Sequence, residues 1–96
     1  MTFPSVREQF SLVGKIAIVT GALGTLGRYF SAALAESGAK VAVFDLHENE
    51  TAEFACELTR KYGVQALGVA CDVADPLSVN LAVQKTVQEL GAIHIL

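Results

Sequence analysis

The chain has 96 residues, 52% of them hydrophobic, with ten Asp and Glu against seven Lys and Arg for a formal net charge of −3. That length holds one domain, since domains usually run about 50 to 250 residues, and so apolar a composition excludes intrinsic disorder. The acidic balance excludes the basic face that a nucleic-acid backbone requires, and the longest apolar runs, Ile16–Val19 and Val41–Phe44, fall far short of the roughly 20 residues of a membrane helix.

Residues 1–14 form a lead-in without a clear element, and its Arg7 and Glu8, with no apolar core segment, argue against a secretory signal. Lys15–Thr20 is a β-branched run ending at Gly21 and reads as a buried strand. The period then changes. Leu26, Tyr29, Phe30, Ala33 and Leu34 recur at i, i+3, i+4, i+7 and i+8, one stripe of an amphipathic helix over Thr25–Ser37, with Gly38 where a helix would end. A six-residue strand and this helix each span about 20 Å, so the helix can return the chain to the strand's starting end.

Val41–Asp45 repeats the strand pattern, and Glu50–Tyr62 places Phe54, Ala55, Leu58 and Tyr62 on one helical face before Gly63. Ala66–Cys71 is a third apolar run. Asp75 and Pro76 then combine an N-cap acceptor with a proline at the first helical position, which predicts a helix over Pro76–Leu90 closed by Gly91. Ala92–Leu96 begins a fourth apolar strand. Strands alternating with helices imply a parallel sheet with right-handed crossovers; the fold class is α/β, a Rossmann-type half of a doubly wound fold, with expected strand order 3-2-1-4. The two cysteines, Cys56 and Cys71, belong to no CxxC or Cys/His cluster. They are expected to be buried, reduced thiols, with a cytoplasmic setting as the consequence.

The turn after the first strand reads Thr20-Gly21-Ala22-Leu23-Gly24-Thr25-Leu26-Gly27. In a dinucleotide site one glycine permits the tight turn, another lets the main chain approach the pyrophosphate, and a third lets helix and sheet pack closely. The helix amino terminus then offers unpaired N–H groups and a positive dipole end to the phosphates. A strand precedes these glycines, a helix follows, and Asp45 ends the second strand 18 residues beyond Gly27, which is the confirming arrangement. A carboxylate there accepts both ribose hydroxyls of adenosine and repels a 2′-phosphate, so Asp45 argues for NAD over NADP. No Lys or Arg follows it before Arg60, and Arg28 reads as a solvated first-turn residue.

Phe10-Ser11-Leu12-Val13-Gly14-Lys15-Ile16-Ala17-Ile18-Val19-Thr20-Gly21-Ala22, then Leu34-Ala35-Glu36-Ser37-Gly38-Ala39-Lys40-Val41, then Cys71-Asp72-Val73-Ala74-Asp75 together resemble the short-chain dehydrogenase/reductase family, from about Phe10 to Leu96. The resemblance implies that Asp72 and Val73 flank the adenine ring, Asp72 near its amino group, and that Thr20 braces the glycine turn. The cofactor-binding set is then Thr20, Gly21, Gly24, Thr25, Leu26, Gly27, Asp45, Asp72 and Val73. Two departures stand out. The common short members space their glycines as TGxxxGxG, whereas this chain has TGxxGxxG, similar to the family's extended branch, so that Thr25 stands in place of a glycine and its hydroxyl offers a donor instead. His94 stands where members often have aspartate.

The resemblance also implies a catalytic Ser, a Tyr-x-x-x-Lys pair and an Asn-Ala-Gly segment that this sequence does not contain. Its only tyrosines, Tyr29 and Tyr62, are followed four residues later by Ala33 and Ala66. No HExxH, GxSxG or GxxxxGK[ST] motif appears either. The expectation is a cofactor-binding part (residues 15–96) of an NAD-dependent oxidoreductase acting on an alcohol or ketone, truncated before its catalytic residues and inactive alone, prone to associate with a full-length homologue. Two other readings fit the same residues: a non-catalytic nucleotide-binding or regulatory module, and a methyltransferase-type α/β domain, which also ends its second strand with a ribose-holding acid.

Overall fold

Short β-branched runs with glycine-marked ends alternate with helical segments throughout the computed structural model, which describes residues 11–95. The order is β1 (Ile16–Thr20), α1 (Thr25–Glu36), β2 (Lys40–Asp45), α2 (Glu48–Tyr62), β3 (Ala66–Ala70) and α3 (Pro76–Leu90). Most of the predicted lead-in, residues 1–10, lies outside the described residues, as does Leu96. α2 begins two residues earlier than its apolar pattern suggests, because Glu48 and Glu50 suit the positive end of the helix dipole. α3 starts as expected: the Asp75 carboxylate accepts from the Leu77 N–H at 3.1 Å, with Pro76 at the first helical position.

The three strands are parallel in the order β1-β2-β3, with Ala17 opposite Val41 and Val43 opposite Gly68. On the other edge of β1, Ile95 forms a single parallel bridge with Ala17, and its carbonyl accepts the Ile18 N–H at 2.9 Å. The spatial sequence is therefore the expected 3-2-1-4, with the fourth position marked by one bridge rather than by a strand. His94 strengthens that edge. Its Nδ1 accepts the Ile16 N–H at 3.0 Å while its own N–H donates to the Ile16 carbonyl at 2.8 Å.

Because parallel strands are covered on both faces, two cores form. Ile16, Ile18, Ala42, Phe44, Val69 and Cys71 pack on one face against Ala82 and Leu90 of α3. On the other, Val41 and Val43 meet Ala35 of α1 and Phe54, Ala55 and Leu58 of α2. The predicted α2 face is the packed one.

Of the predicted α1 stripe only Leu34 packs, half-buried against this second core. Leu26, Tyr29 and Phe30 are 68%, 72% and 54% exposed, and the packed residues are Gly27, Ser31 and Ala35. Small side chains let α1 ride close to the sheet, where Leu or Phe would hold it off, so packing chose the small-residue face over the large apolar one. Cys56 is a second correction: it is exposed on α2 and only Cys71 is buried, since positions 54, 55 and 58 already fill the inward side of that helix.

Candidate functional site

β1 delivers the chain into a turn in which the three glycines have different tasks. Gly21 takes φ +60, the left-handed region that a glycine enters without steric cost, and a Cβ built on it would meet nothing within 4 Å. Gly27 is the packing glycine: a Cβ there would lie 2.2 Å from the Gly21 carbonyl oxygen. Gly24 is the N-cap of α1 at φ −72, and its added Cβ would make an ordinary contact at 3.4 Å. The bonds that hold the turn run to Phe44, Asp45 and Arg28. The Ala22 N–H donates to the Phe44 carbonyl at 3.1 Å, and the Gly24 N–H closes the turn on the Gly21 carbonyl at 3.1 Å. Thr20 stands exposed at the end of β1.

A helix leaves its first N–H groups without intrahelical partners. In α1 the cap is a glycine with no side chain and no acid stands in the first turn, so the amides of Thr25, Leu26 and Gly27 have no side-chain acceptor. α2 and α3 differ, carrying Glu48 and Glu50 or the Asp75 cap. The positive end of α1 therefore stands beside Gly21 with no acidic side chain in its first turn to neutralise it among the described residues, the kind of helix end that suits an anion.

Next to it lies a cleft of about 180 Å³ lined by Gly21, Phe44, Asp45, Leu46, Cys71, Asp72 and Val73. The structure thus brings Asp45, Asp72 and Val73 together with the turn although the sequence separates them widely. Asp45 is partly buried, with Oδ1 accepting the Leu46 N–H at 2.7 Å and Oδ2 the Leu23 N–H at 2.9 Å. Asp72 is exposed; its Oδ1 accepts the Ala74 N–H at 3.0 Å and its own N–H donates to the Ser78 hydroxyl at 3.0 Å, which fixes the loop before α3.

Two residues of this region escape the sequence reading. Cys71 closes the inner side of the cleft; just past β3, it stays in phase with Val69 and shares its core, and that two-residue period was the available signal. Arg28 is not merely solvated. Its Nε donates to the Leu23 carbonyl at 3.0 Å, and its guanidinium lies 4.8 Å from the centre of the Phe54 ring. No spacing rule announces either contact.

Two larger clefts flank the outer edge of β1, one of about 450 Å³ beside Val19, Phe30 and Leu34 and one of about 470 Å³ beside Phe44, Val79 and Val83. Both are apolar and lack clustered ionisable groups, so size and chemistry disagree, and the smaller cleft carries the chemistry. Among the described residues no group of His, Cys, Asp and Glu could hold a metal ion, and no helix is long and apolar enough to cross a membrane.

Comparison with known proteins places this geometry. The model of the short chain dehydrogenase family matches residues 15–96. Sorbose reductase from Candida albicans is 38% identical over 92 residues, covering 95% of this chain and 32% of the relative. D-threitol dehydrogenase from Mycolicibacterium smegmatis is 40% identical over 92 residues, covering 96% and 35%. Among solved structures, the NADPH-dependent 3-quinuclidinone reductase from Rhodotorula rubra superposes with a TM-score of 0.86 at 30% identity, over 97% of this chain and 35% of the other. The chain spans about a third of the length of the relatives it matches. The glycine turn, the uncapped helix and the acid at the end of β2 lie within the matched region, and the chain belongs to the short-chain dehydrogenase family.

Proposed function

We propose that residues 15–96 are the cofactor-binding domain of an oxidoreductase that moves a hydride between a nicotinamide dinucleotide and an alcohol or ketone, with NAD preferred over NADP. The observation that carries this reading is the uncapped positive end of α1 beside a cleft walled by the Asp45 carboxylate. The site's features fit the group: free amides at Thr25, Leu26 and Gly27 suit a pyrophosphate, open space at Gly21 admits it, and the carboxylate at Asp45 suits a ribose with free hydroxyls. Thr20 and Gly24 shape the turn, and Asp72 and Val73 border the place of the adenine. When bound, the nicotinamide supplies or accepts the hydride.

The NAD preference rests on charge. A 2′-phosphate brought to Asp45 places like charges a few ångströms apart, which is unfavourable by about 1 kcal/mol in water and by several in a partly buried cleft. The quinuclidinone reductase is NADPH-dependent, so the charge at Asp45 is what would set this chain's preference apart. Sorbose and threitol in the names of two relatives support a sugar or polyol as the alcohol. Membership in the family weighs against the methyltransferase-type alternative, and a cytoplasmic location, supported by the free thiols of Cys56 and Cys71, completes the proposal.

Calorimetric titration with NADH, NADPH and S-adenosylmethionine tests it. NADH is expected to bind, more tightly than NADPH, and S-adenosylmethionine not at all. Tighter binding of NADPH would remove the NAD preference, and binding of S-adenosylmethionine alone would remove the dinucleotide reading.

A further inference from the structure

Leu23 is held by charged side chains through both of its main-chain polar groups. Its N–H donates to Asp45 Oδ2 at 2.9 Å, and its carbonyl accepts from Arg28 Nε at 3.0 Å. Leu23 sits in the middle of the Gly21–Gly24 turn, whose own closing bond is a 3.1 Å contact between the Gly24 N–H and the Gly21 carbonyl. Each charged partner is itself fixed. Asp45 is tied by its second oxygen to the Leu46 N–H at 2.7 Å, and Arg28 lies 4.8 Å from the centre of the Phe54 ring on α2. Hydrogen bonds with one ionised partner are the strong ones, so this clamp holds the turn in position before any ligand arrives.

We propose that Asp45 is a positioning residue for the phosphate-facing turn, acting through the Leu23 amide with Arg28 as its counterpart, in addition to the ribose contact assigned to it above, on whose reading this inference rests. The two tasks are compatible because an ionised carboxylate has about four acceptor sites, and the two backbone amides take one on each oxygen. Two sites remain for two ribose hydroxyls. No neutral side chain of this size provides the same set. An asparagine presents an NH₂ where one of the two N–H donors needs an acceptor, and a serine reaches neither in the same way. Replacing Asp45 to admit a 2′-phosphate therefore also releases the turn on which both dinucleotides place their pyrophosphate.

A carboxylate that only reads ribose and one that also holds the turn make opposite predictions for NADPH. In the ribose-only case, Asp45→Asn weakens NADH and tightens NADPH. In the clamp case, Asp45→Asn weakens both, NADPH by about 5-fold or more, a loss of about 1 kcal/mol. The second readout needs no ligand. Amide hydrogen exchange at Leu23 is expected to accelerate at least about 10-fold in Asp45→Asn, while Val43 in β2 and Ala35 in α1 keep their protection. Were Asp45→Asn to unfold, Arg28→Met loosens the same residue from its carbonyl side and leaves the carboxylate in place; it is expected to weaken NADH and NADPH by equal factors. Unchanged exchange at Leu23, or NADPH tightened by Asp45→Asn, overturns the clamp. Failure of the parent chain to bind either dinucleotide overturns the functional reading instead, and the exchange measurement still decides the clamp on its own.

Discussion

Replacing Gly27 by alanine sets two effects of known size against each other. Inside a helix, alanine is favoured over glycine by about 1 kcal/mol, and Gly27 lies in the first turn of α1. Against this, the added Cβ would stand 2.2 Å from the Gly21 oxygen, 2.8 Å from the Ala22 Cα and 2.9 Å from the Gly21 carbonyl carbon. Favourable contacts between such atoms begin near about 3.5 Å, so α1 must retreat by roughly 1 Å from a turn made of main chain that cannot rotate aside. Overpacking costs about 1–3 kcal/mol, and a clash with backbone belongs at the upper end. Because Ser31 and Ala35 are packed on the same face at 0% and 1% exposure, the retreat also opens a gap beneath them, and we expect a net loss of about 3 kcal/mol. A domain of this size has roughly 5–14 kcal/mol in all. Urea unfolding followed by circular dichroism at low protein concentration reads the change; with a slope near 1 kcal/mol per molar, the midpoint falls by about 3 M. Gly24→Ala is the control, since its Cβ would meet only the Gly21 oxygen at 3.4 Å, and it should cost under about 1 kcal/mol. A Gly27→Ala midpoint within about 0.5 M of the parent, or a Gly24→Ala loss as large, refutes the assignment of the packing role to Gly27.

Gly21→Val is expected to abolish NADH binding while costing stability at least about 1–2 kcal/mol for the left-handed backbone, since a Cβ at Gly21 would meet nothing within 4 Å; calorimetry showing parental affinity would mean that this turn faces no ligand. His94→Ala leaves the Ile16 N–H without its acceptor and should destabilise by about 1–3 kcal/mol, with partial recovery in His94→Asn, whose amide oxygen can accept; equal urea midpoints for His94→Ala and the parent would sink the idea. Changing Leu26, Tyr29 and Phe30 together to glutamine should raise the concentration at which the chain aggregates, at no more than about 0.5 kcal/mol per site; unfolding of the triple variant would show that the stripe is core. The 96-residue chain by itself should oxidise no alcohol with NAD, since neither Tyr29 nor Tyr62 has a lysine four residues on and positioned proton transfer supplies about 10²–10⁴ in rate; turnover above the uncatalysed rate would contradict this.

The sequence made the architecture legible because its signals are local. Strand and helix periods, the Asp75-Pro76 start of α3 and the spacing from Gly27 to Asp45 each depend on neighbours along the chain. Which face of α1 packs is not local. It depends on how near the helix can come to Gly21, and a stripe of Leu26, Tyr29 and Phe30 says only that large apolar groups share a side. The division of labour among the glycines was likewise hidden, since three identical residues differ only in what a Cβ would meet. Asp45 was legible as a strand-end acid and Arg28 was not legible as its counterpart, because the Leu23 main chain that joins them presents no side chain to the pattern.

The bridge between Ala17 and Ile95 also sets a timetable. Among the described residues β1 is the first strand made, yet the residues that satisfy its outer edge, His94 and Ile95, come much later; Ile16 and His94 are 78 positions apart. At about 5–20 residues per second, roughly 4 to 16 seconds pass during synthesis between the appearance of that edge and the arrival of its partner. Through that interval β2 can already shield one side of β1, while the other offers unpaired main-chain groups flanked by Ile18 and Val19. An extended segment of another nascent chain could pair there, so this edge is where a chaperone that recognises unpaired strands would be of most use to the growing protein.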